Sequence, residues 1–405
     1  MKILVVTQYF YPENFKGNDI AFEMQKKGHE VTVLTGIPNY PEGKFFKGYG
    51  YFKRRRENIN GVKVIRSFLI PRGNNTTLPL MLNYFSWFFF ASIYALYFSF
   101  FKKFDRVIVQ QLSPVLVGIP AIIIKKIQKT PVYFWVLDLW PESLESAGGV
   151  KNKKILSFFE WIVKFLYKNS DKILISSKGF RNSIIEKGNF EDKIIYFPNW
   201  AESSITDFNQ YQNIKINLPK FPSGFNILFA GNVGVAQDLE NAIKAMEIVS
   251  KQNTNINFLI LGDGRDKERL QKLVLEKKIE KNIYFFGKYP VETMAYFFSQ
   301  ADCMFVSLKD EPIFSLSLPA KVQAYMSVGK PIISMMNGEG YDIINEADCG
   351  FAVHAEDNEG LANKILEIEK LSVLDRERLG NNGKTFYQEN FVLENCISNL
   401  EKIIS

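Results

Sequence analysis

Read for apolar and polar positions, the chain is a series of short apolar runs, each closed by a polar turn and followed by a segment of helical spacing. Lys2–Val6 is the first run, ending in Thr7-Gln8-Tyr9-Phe10-Tyr11-Pro12-Glu13. A glycine-containing loop, Phe15-Lys16-Gly17-Asn18, enters the helical pattern Ile20, Phe22, Met24, which stops at Gly28 before a second run, Val31–Leu34. This strand–loop–helix–strand unit predicts a parallel sheet with ligand chemistry at the strands' carboxyl ends. Asp105–Gln111, Pro131–Asp138, Lys172–Ser176 and Ile194–Phe197 read as further strands, and Ile155–Leu166 as an apolar helix. Residues 201–223 are polar, with Pro219 and Pro222 near their end, and read as a linker.

The grammar then restarts. Asn226–Ala230 is a strand followed by Gly231-Asn232-Val233-Gly234-Val235-Ala236-Gln237-Asp238 and a helix from Leu239. Phe258–Leu261 ends in Gly262-Asp263-Gly264-Arg265, Ile283–Phe286 ends in Gly287, and Cys303–Ser307 is another strand. A polar stretch, Ser315-Leu316-Ser317-Leu318-Pro319-Ala320-Lys321, leads into a helix of about three turns that Gly329 closes, and Pro331 opens the strand Ile332-Ile333. The last helical segment, Val392–Ile404, has the length to cross back onto the first half. The expected fold class is α/β: two Rossmann-like, doubly wound parallel-sheet domains facing a cleft. The boundaries are 1–201 for the first Rossmann-like domain and 202–387 for the second, with 388–405 crossing back. No Gly-x-Gly-x-x-Gly follows the first strand, which argues against a dehydrogenase.

One segment breaks the pattern. Leu78–Phe101 has no charged residue over 24 positions and includes Tyr84-Phe85-Ser86-Trp87-Phe88-Phe89-Phe90. As a helix it would be about 36 Å long, enough to cross a bilayer. A single crossing is excluded, because strands before and after it must join one sheet. It therefore lies in the interface, dips in and returns, or is buried in protein. Charge bears on the choice. Residues 1–200 carry 29 Lys and Arg against 15 Asp and Glu, whereas residues 201–405 carry 21 against 28. Arg54-Arg55-Arg56, Lys63, Arg66 and Arg72 precede the segment and Lys102-Lys103 follow it. A basic, aromatic half fits monotopic attachment to an anionic membrane better than nucleic acid. Cys303, Cys349 and Cys396 are isolated and lack metal-ligand spacing, as in a reducing compartment without disulfides or a zinc site.

Glycine directly after a strand, at 231, 262 and 287, lets backbone N–H groups approach phosphate. Arg265 and Lys321 are then the candidate diphosphate cations. In the first half Asp138 and Glu142 are the acids nearest a strand end. Asp138 suits orientation of an acceptor hydroxyl, or capping of the following turn; Glu142 reads as structural. His29 and His354, the only histidines, receive no role.

Thr7-Gln8-Tyr9-Phe10-Tyr11-Pro12-Glu13, Gly28-His29-Glu30-Val31-Thr32-Val33-Leu34-Thr35-Gly36, Pro38-Asn39-Tyr40-Pro41, Asp138-Leu139-Trp140-Pro141-Glu142-Ser143 and Gly231-Asn232-Val233-Gly234 together resemble glycosyltransferase family 4. They are most similar to its bacterial surface-polysaccharide branch, which includes N-acetylfucosaminyl transferases of the WbuB type. The resemblance implies the GT-B fold, a UDP-sugar donor held by the C-terminal domain, retention of configuration, and no required metal or other cofactor. It further implies a polyprenyl-diphosphate-linked acceptor at the cytoplasmic face of the bacterial inner membrane, as in O-antigen or capsule biosynthesis. On this reading Asp138, Lys321 and Arg265 are catalytic. Donor binding falls to Gly17, Asn18, Gly231, Asn232, Gly234, Gln237, Gly262, Gly264, Gly287, Glu311, Ser317 and Leu318, and acceptor or membrane contact to Tyr11, Glu142, Trp87 and Phe88. The chain departs from the family at Leu137, where a histidine is usual, and at Asn232 and Gln237, which replace an arginine and a lysine. The family's two glutamates fall on Leu316 and Ala324. Lys321 and the backbone amides of Ser317 and Leu318 are expected to replace the missing groups. The alternatives are a UDP-sugar epimerase on the same fold and an inactive sugar-nucleotide-binding membrane protein.

Overall fold

A computed structural model describes every residue except 75, 147–148, 203–204 and 206–216, so most of the expected linker lies outside the described residues. The chain divides into two compact units, Met1–Phe197 with Ile397–Ser405, and Pro198–Cys396.

The first unit is built on an eight-stranded sheet. Its strands are β1 (Lys2–Val6), β2 (Glu30–Gly36), β3 (Arg56–Ile59), β4 (Val62–Ser67), β5 (Arg106–Gln111), β6 (Val132–Val136), β7 (Lys172–Ile175) and β8 (Ile194–Tyr196). They lie in the order β3-β4-β2-β1-β5-β6-β7-β8 and are parallel except for the β3–β4 pair. The sequence reading did not contain that hairpin. Its turn is Asn60-Gly61, both at positive φ, which matches the right-handed twist of the flanking strands. Helices α1 (Lys16–Lys26), α2 (Thr77–Phe101), α3 (Gly118–Gln128), α4 (Glu142–Ser146), α5 (Lys153–Asn169) and α6 (Phe180–Glu186) connect the strands. Gly17 and Asn18, expected in a loop, form the first turn of α1.

The charge-free segment is one continuous helix, which removes the dip-and-return alternative. It is neither free nor enclosed. Asn83, Trp87, Ala91, Ala95 and Phe98 are buried along one side, while Leu78, Phe89, Ile93, Phe100 and Phe101 are exposed on the other. By length and composition α2 could cross a membrane, but only about a quarter of its most apolar window is covered by protein.

The second unit has six parallel strands: β9 (Phe225–Ala230), β10 (Ile256–Leu261), β11 (Ile283–Gly287), β12 (Cys303–Ser307), β13 (Ile332–Met335) and β14 (Gly350–Val353), ordered β11-β10-β9-β12-β13-β14. Helices α7 (Leu239–Ser250), α8 (Lys267–Glu276), α9 (Met294–Gln300), α10 (Pro312–Ser315), α11 (Ala320–Val328), α12 (Glu339–Glu346), α13 (Asn358–Lys370) and α14 (Val373–Asn390) cover it. The central strands are buried on both faces, as expected of a doubly wound sheet. A final helix, α15 (Leu393–Ile404), begins in this unit and ends in the first. There Glu401 accepts from His29 Nε2 at 2.9 Å and meets Lys27 at 3.0 Å, so His29 pins the end of the chain to the first sheet. His354 stacks on Tyr341, with centroids 4.6 Å apart. The strand order reverses between β1 and β5 in one sheet and between β9 and β12 in the other, and crevices form at the carboxyl ends beside such points.

Candidate functional site

In the second unit the glycines foreseen from sequence converge. Gly231, Gly262 and Gly287 end or follow β9, β10 and β11, three adjacent strands. The Gly231 N–H donates to the Leu261 carbonyl at 2.9 Å, and the Gly262 N–H to the Gly287 carbonyl at 2.8 Å. Gly231 and Gly262 both sit at φ +149°, and a Cβ on Gly262 would lie 1.8 Å from the Gly231 carbonyl oxygen. A Cβ on Gly264 would lie 2.2 Å from the Val233 carbonyl oxygen. No side chain fits where these turns touch, so the backbone itself forms this edge.

Lys321 lies against that edge. It is in the first turn of α11, and its stem passes over Gly231: a Cβ there would come within 2.5 Å of Lys321 Cε. Its Nζ stands 4.0 Å from the Phe229 ring centroid and donates to Gln237 Oε1. Gln237 is fixed through its own carbonyl, which accepts from Ser307 Oγ of β12. Burial pushes the Lys321 ammonium down to about 7, since little water remains to solvate the charge. An amide oxygen and a ring face are weak partners for a buried ammonium, and an anion would be a stronger one.

The remaining expected donor residues differ in their surroundings. Arg265 is exposed beside the Gly262–Gly264 turn, and Asn232 is exposed beside Gly234. Glu311 is exposed and its carbonyl accepts from Phe314 N–H at 2.9 Å. Ser317 does not supply the free amide expected of it. Its N–H donates to the Phe314 carbonyl at 3.2 Å and its hydroxyl to the Ile313 carbonyl at 3.0 Å, because α10 inserts a turn into what read as open loop. Leu318 buries its side chain in the core. Gly17 and Asn18 belong to the other unit. A Cβ on Gly17 would strike Gln110, and Asn18 bonds the Tyr11 N–H at 2.9 Å and the Glu13 carbonyl at 2.7 Å, so both shape the loop after β1.

The first unit gathers a second cluster at its strand ends. Asp138, two residues beyond β6, accepts at Oδ2 from Ser113 Oγ (2.6 Å) and Trp140 Nε1 (3.2 Å), and at Oδ1 from Ser143 Oγ. Neutral donors thus orient the carboxylate. Glu142 is spoken for: Oε1 accepts from Ser183 Oγ at 2.9 Å and from Lys187 Nζ, which ties α4 to α6. Tyr11 is exposed, and its carbonyl accepts from Arg66 at 2.8 Å. Trp87, expected at the membrane, is wholly buried beneath α2; its large ring fills the space between helix and sheet. Phe88, its neighbour, is half-buried.

Sequence reasoning missed the groups that tie together the neighbouring strand ends of the same sheet. Glu13 is buried and accepts the backbone N–H groups of Asn39 (2.8 Å) and Tyr40 (2.7 Å), joining the loops after β1 and β2. Desolvation raises its carboxyl to about 7 despite those bonds. Arg72, after β4, donates to Tyr9 OH at 2.6 Å and lies 5.0 Å from the Tyr40 ring and 5.8 Å from that of Tyr84. The signal was present in the Pro12-Glu13 and Pro38-Asn39-Tyr40-Pro41 stretches, which occupy neighbouring strand ends.

Comparison with known proteins places both units. Residues 18–200 match the model of the glycosyl transferase 4-like domain, and residues 211–386 match that of glycosyl transferases group 1. The chain is 28% identical over 264 residues to a protein of Pseudomonas aeruginosa named probable glycosyltransferase WbjE, a match spanning 64% of each chain. It is 27% identical over 343 residues to the putative colanic acid biosynthesis glycosyl transferase WcaI of Escherichia coli K12, covering 81% of this chain and 82% of the relative. Among solved structures, HepE of Anabaena in complex with UDP-glucose superposes with a TM-score of 0.66 at 12% identity, covering 100% of this chain and 99% of HepE. The fold shared with such neighbours is GT-B.

Proposed function

The chain is a glycosyltransferase, a GT-B protein with a glycosyl transferase 4-like domain and a group 1 domain and with relatives named as glycosyltransferases, one of them of colanic acid biosynthesis, and from that premise we propose its reaction. It moves an N-acetylated hexosamine or deoxyhexosamine from a UDP-sugar to a polyprenyl-diphosphate-linked saccharide, with retention, in surface polysaccharide biosynthesis. The observation that carries this reading is the meeting of three glycine turns with a part-buried lysine that has no anionic partner among the described residues. The diphosphate sits on that edge, and a nucleotide-sugar donor is in keeping with HepE, a neighbour of the same fold solved in complex with UDP-glucose. Lys321, Arg265 and backbone amides of the turns stabilise the charge that develops on the leaving group, and electrostatics supply most of the rate. The protein's own cations do this work in place of a metal.

Asp138 receives the acceptor hydroxyl. Its three neutral donors hold the carboxylate in one orientation, which suits positioning of the nucleophile better than formation of a covalent adduct. Attack then comes from the face the diphosphate leaves, with a phosphate oxygen taking the hydroxyl's proton. The lipid-linked acceptor brings the reaction to the cytoplasmic face of the inner membrane, where α2 rests its exposed side on the bilayer. Incubation with a panel of UDP-sugars and a polyprenyl-diphosphate sugar tests the proposal. Transfer with retention in the presence of EDTA is the expected result. Epimerisation without an acceptor, or binding without turnover, would refute it.

A further inference from the structure

The face of the first unit that carries α2 exposes more apolar surface than that helix supplies. Right-handed crossovers from β4 to β5, β5 to β6 and β6 to β7 put α2, α3 and α5 on one side of the sheet. Helix α2 packs along α3, and α3 against α5. Helix α5 buries Ile162, Val163, Leu166 and Tyr167 and leaves Ile155, Phe158 and Trp161 exposed, Trp161 at 63%. Their spacing of three makes them one stripe, and Phe158 stacks on Trp161 with centroids 6.3 Å apart. Exposed Lys154 and Lys168 share that side of the helix. Beside α2, Phe52 is 94% exposed next to Lys53 and Arg54. This loop is fixed to α2 by the ring series Tyr51–Phe68–Phe90, at 6.0 and 5.4 Å, and by Arg55 Nη2 donating to Tyr94 OH at 3.2 Å.

We infer that α5 and the Phe52 loop are further points of contact with an anionic bilayer, so that a broad footprint rather than α2 alone docks. The inference rests on the reading of α2 given above. Exposed aromatic rings flanked by lysine and arginine are the composition of a membrane interface, where rings sit at headgroup depth and cations meet lipid phosphate. A second copy of the chain would bring like-charged lysines together.

The five tryptophans make this directly measurable. Trp87, Trp135, Trp140 and Trp200 are all at most 5% exposed, so lipid-dependent changes in emission report Trp161. The full chain is mixed with vesicles of phosphatidylcholine alone or with a quarter phosphatidylglycerol, with and without brominated acyl chains. The anionic vesicles are expected to shift the emission to the blue and the brominated ones to quench it. Trp161→Ser and Phe52→Ser are each expected to weaken partitioning about tenfold without changing the melting temperature. Vesicle binding with silent, unquenched tryptophan emission would overturn the inference while sparing α2. Failure of the parent chain to bind vesicles of either composition would overturn both. A blue shift that follows protein concentration without lipid, together with dimers in sedimentation velocity, would assign the face to a second copy and overturn the inference.

Discussion

Replacing Lys321 by methionine separates what this residue does for stability from what it does for ligand. Methionine keeps the length and fills the same space against Phe229, but removes the charge. Burial has pushed the ammonium from its ordinary 10.5 down to about 7. Between those values the unfolded chain holds a proton that the folded chain has released, so stability rises with pH through that window. Below pH 7 the folded chain must carry the buried charge and the penalty is complete. Lys321→Met is therefore expected to stabilise the protein, on the order of 1–3 kcal/mol at pH 6, with the gain shrinking towards pH 10. Binding should move the other way. A charge-assisted hydrogen bond to a diphosphate is worth about 1.5–3 kcal/mol, so the dissociation constant for UDP should rise roughly 10- to 150-fold. Thermal melts at pH 6 and 9 measure the first effect, and calorimetric titration with UDP the second. At pH 8 the parent protein should also take up close to one proton on binding UDP, visible as a heat that varies with the buffer. A variant that melts lower at pH 6, or that binds UDP within twofold of the parent, would refute the reasoning.

Three further outcomes are expected. Glu13→Gln should raise the melting temperature at pH 8 more than at pH 5, because the raised carboxyl makes the folded chain hold a proton between about 4.5 and 7 that the unfolded chain has lost, and stability falls across that window; equal shifts at both pH values would contradict it. Gly262→Ala forces a Cβ into the Gly231 carbonyl oxygen at φ +149° and should cost about 2–4 kcal/mol in urea unfolding, together with UDP binding. Asp138→Asn preserves the size of the group held by Ser113, Trp140 and Ser143, so turnover should fall about 10²- to 10⁴-fold while UDP affinity stays within twofold.

The alternation of buried runs and turns made most strands legible, because a strand covered on both faces reads as a continuous apolar run. The hairpin β3–β4 escaped because β3 is an edge strand, Arg-Glu-Asn-Ile, with no buried face to impose a pattern. Helix α2 was legible as a helix but not in its orientation. In a uniformly apolar segment the buried side is marked only by Asn83, Trp87, Ala91 and Ala95, spaced by four, a stripe that sterics rather than hydropathy selects. In the site, the glycines were readable because each follows its own strand, whereas the bonds that orient Asp138 and Lys321 are not. Ser113 lies 25 residues from Asp138, and Gln237 lies 84 residues from Lys321. Such pairings follow from strand order, which no local pattern encodes. Ser317 shows the converse: a local turn, α10, uses up an amide that the open-loop reading had left available.

The account depends most on a nucleotide diphosphate resting on the glycine turns of the second sheet. Amide hydrogen exchange of the full chain with and without UDP tests this directly. Slowed exchange is expected at residues 231–237, 262–265 and 315–322, with residues 138–143 unchanged. Protection confined to the strand ends of the first sheet, or none at saturating UDP, would contradict the assignment.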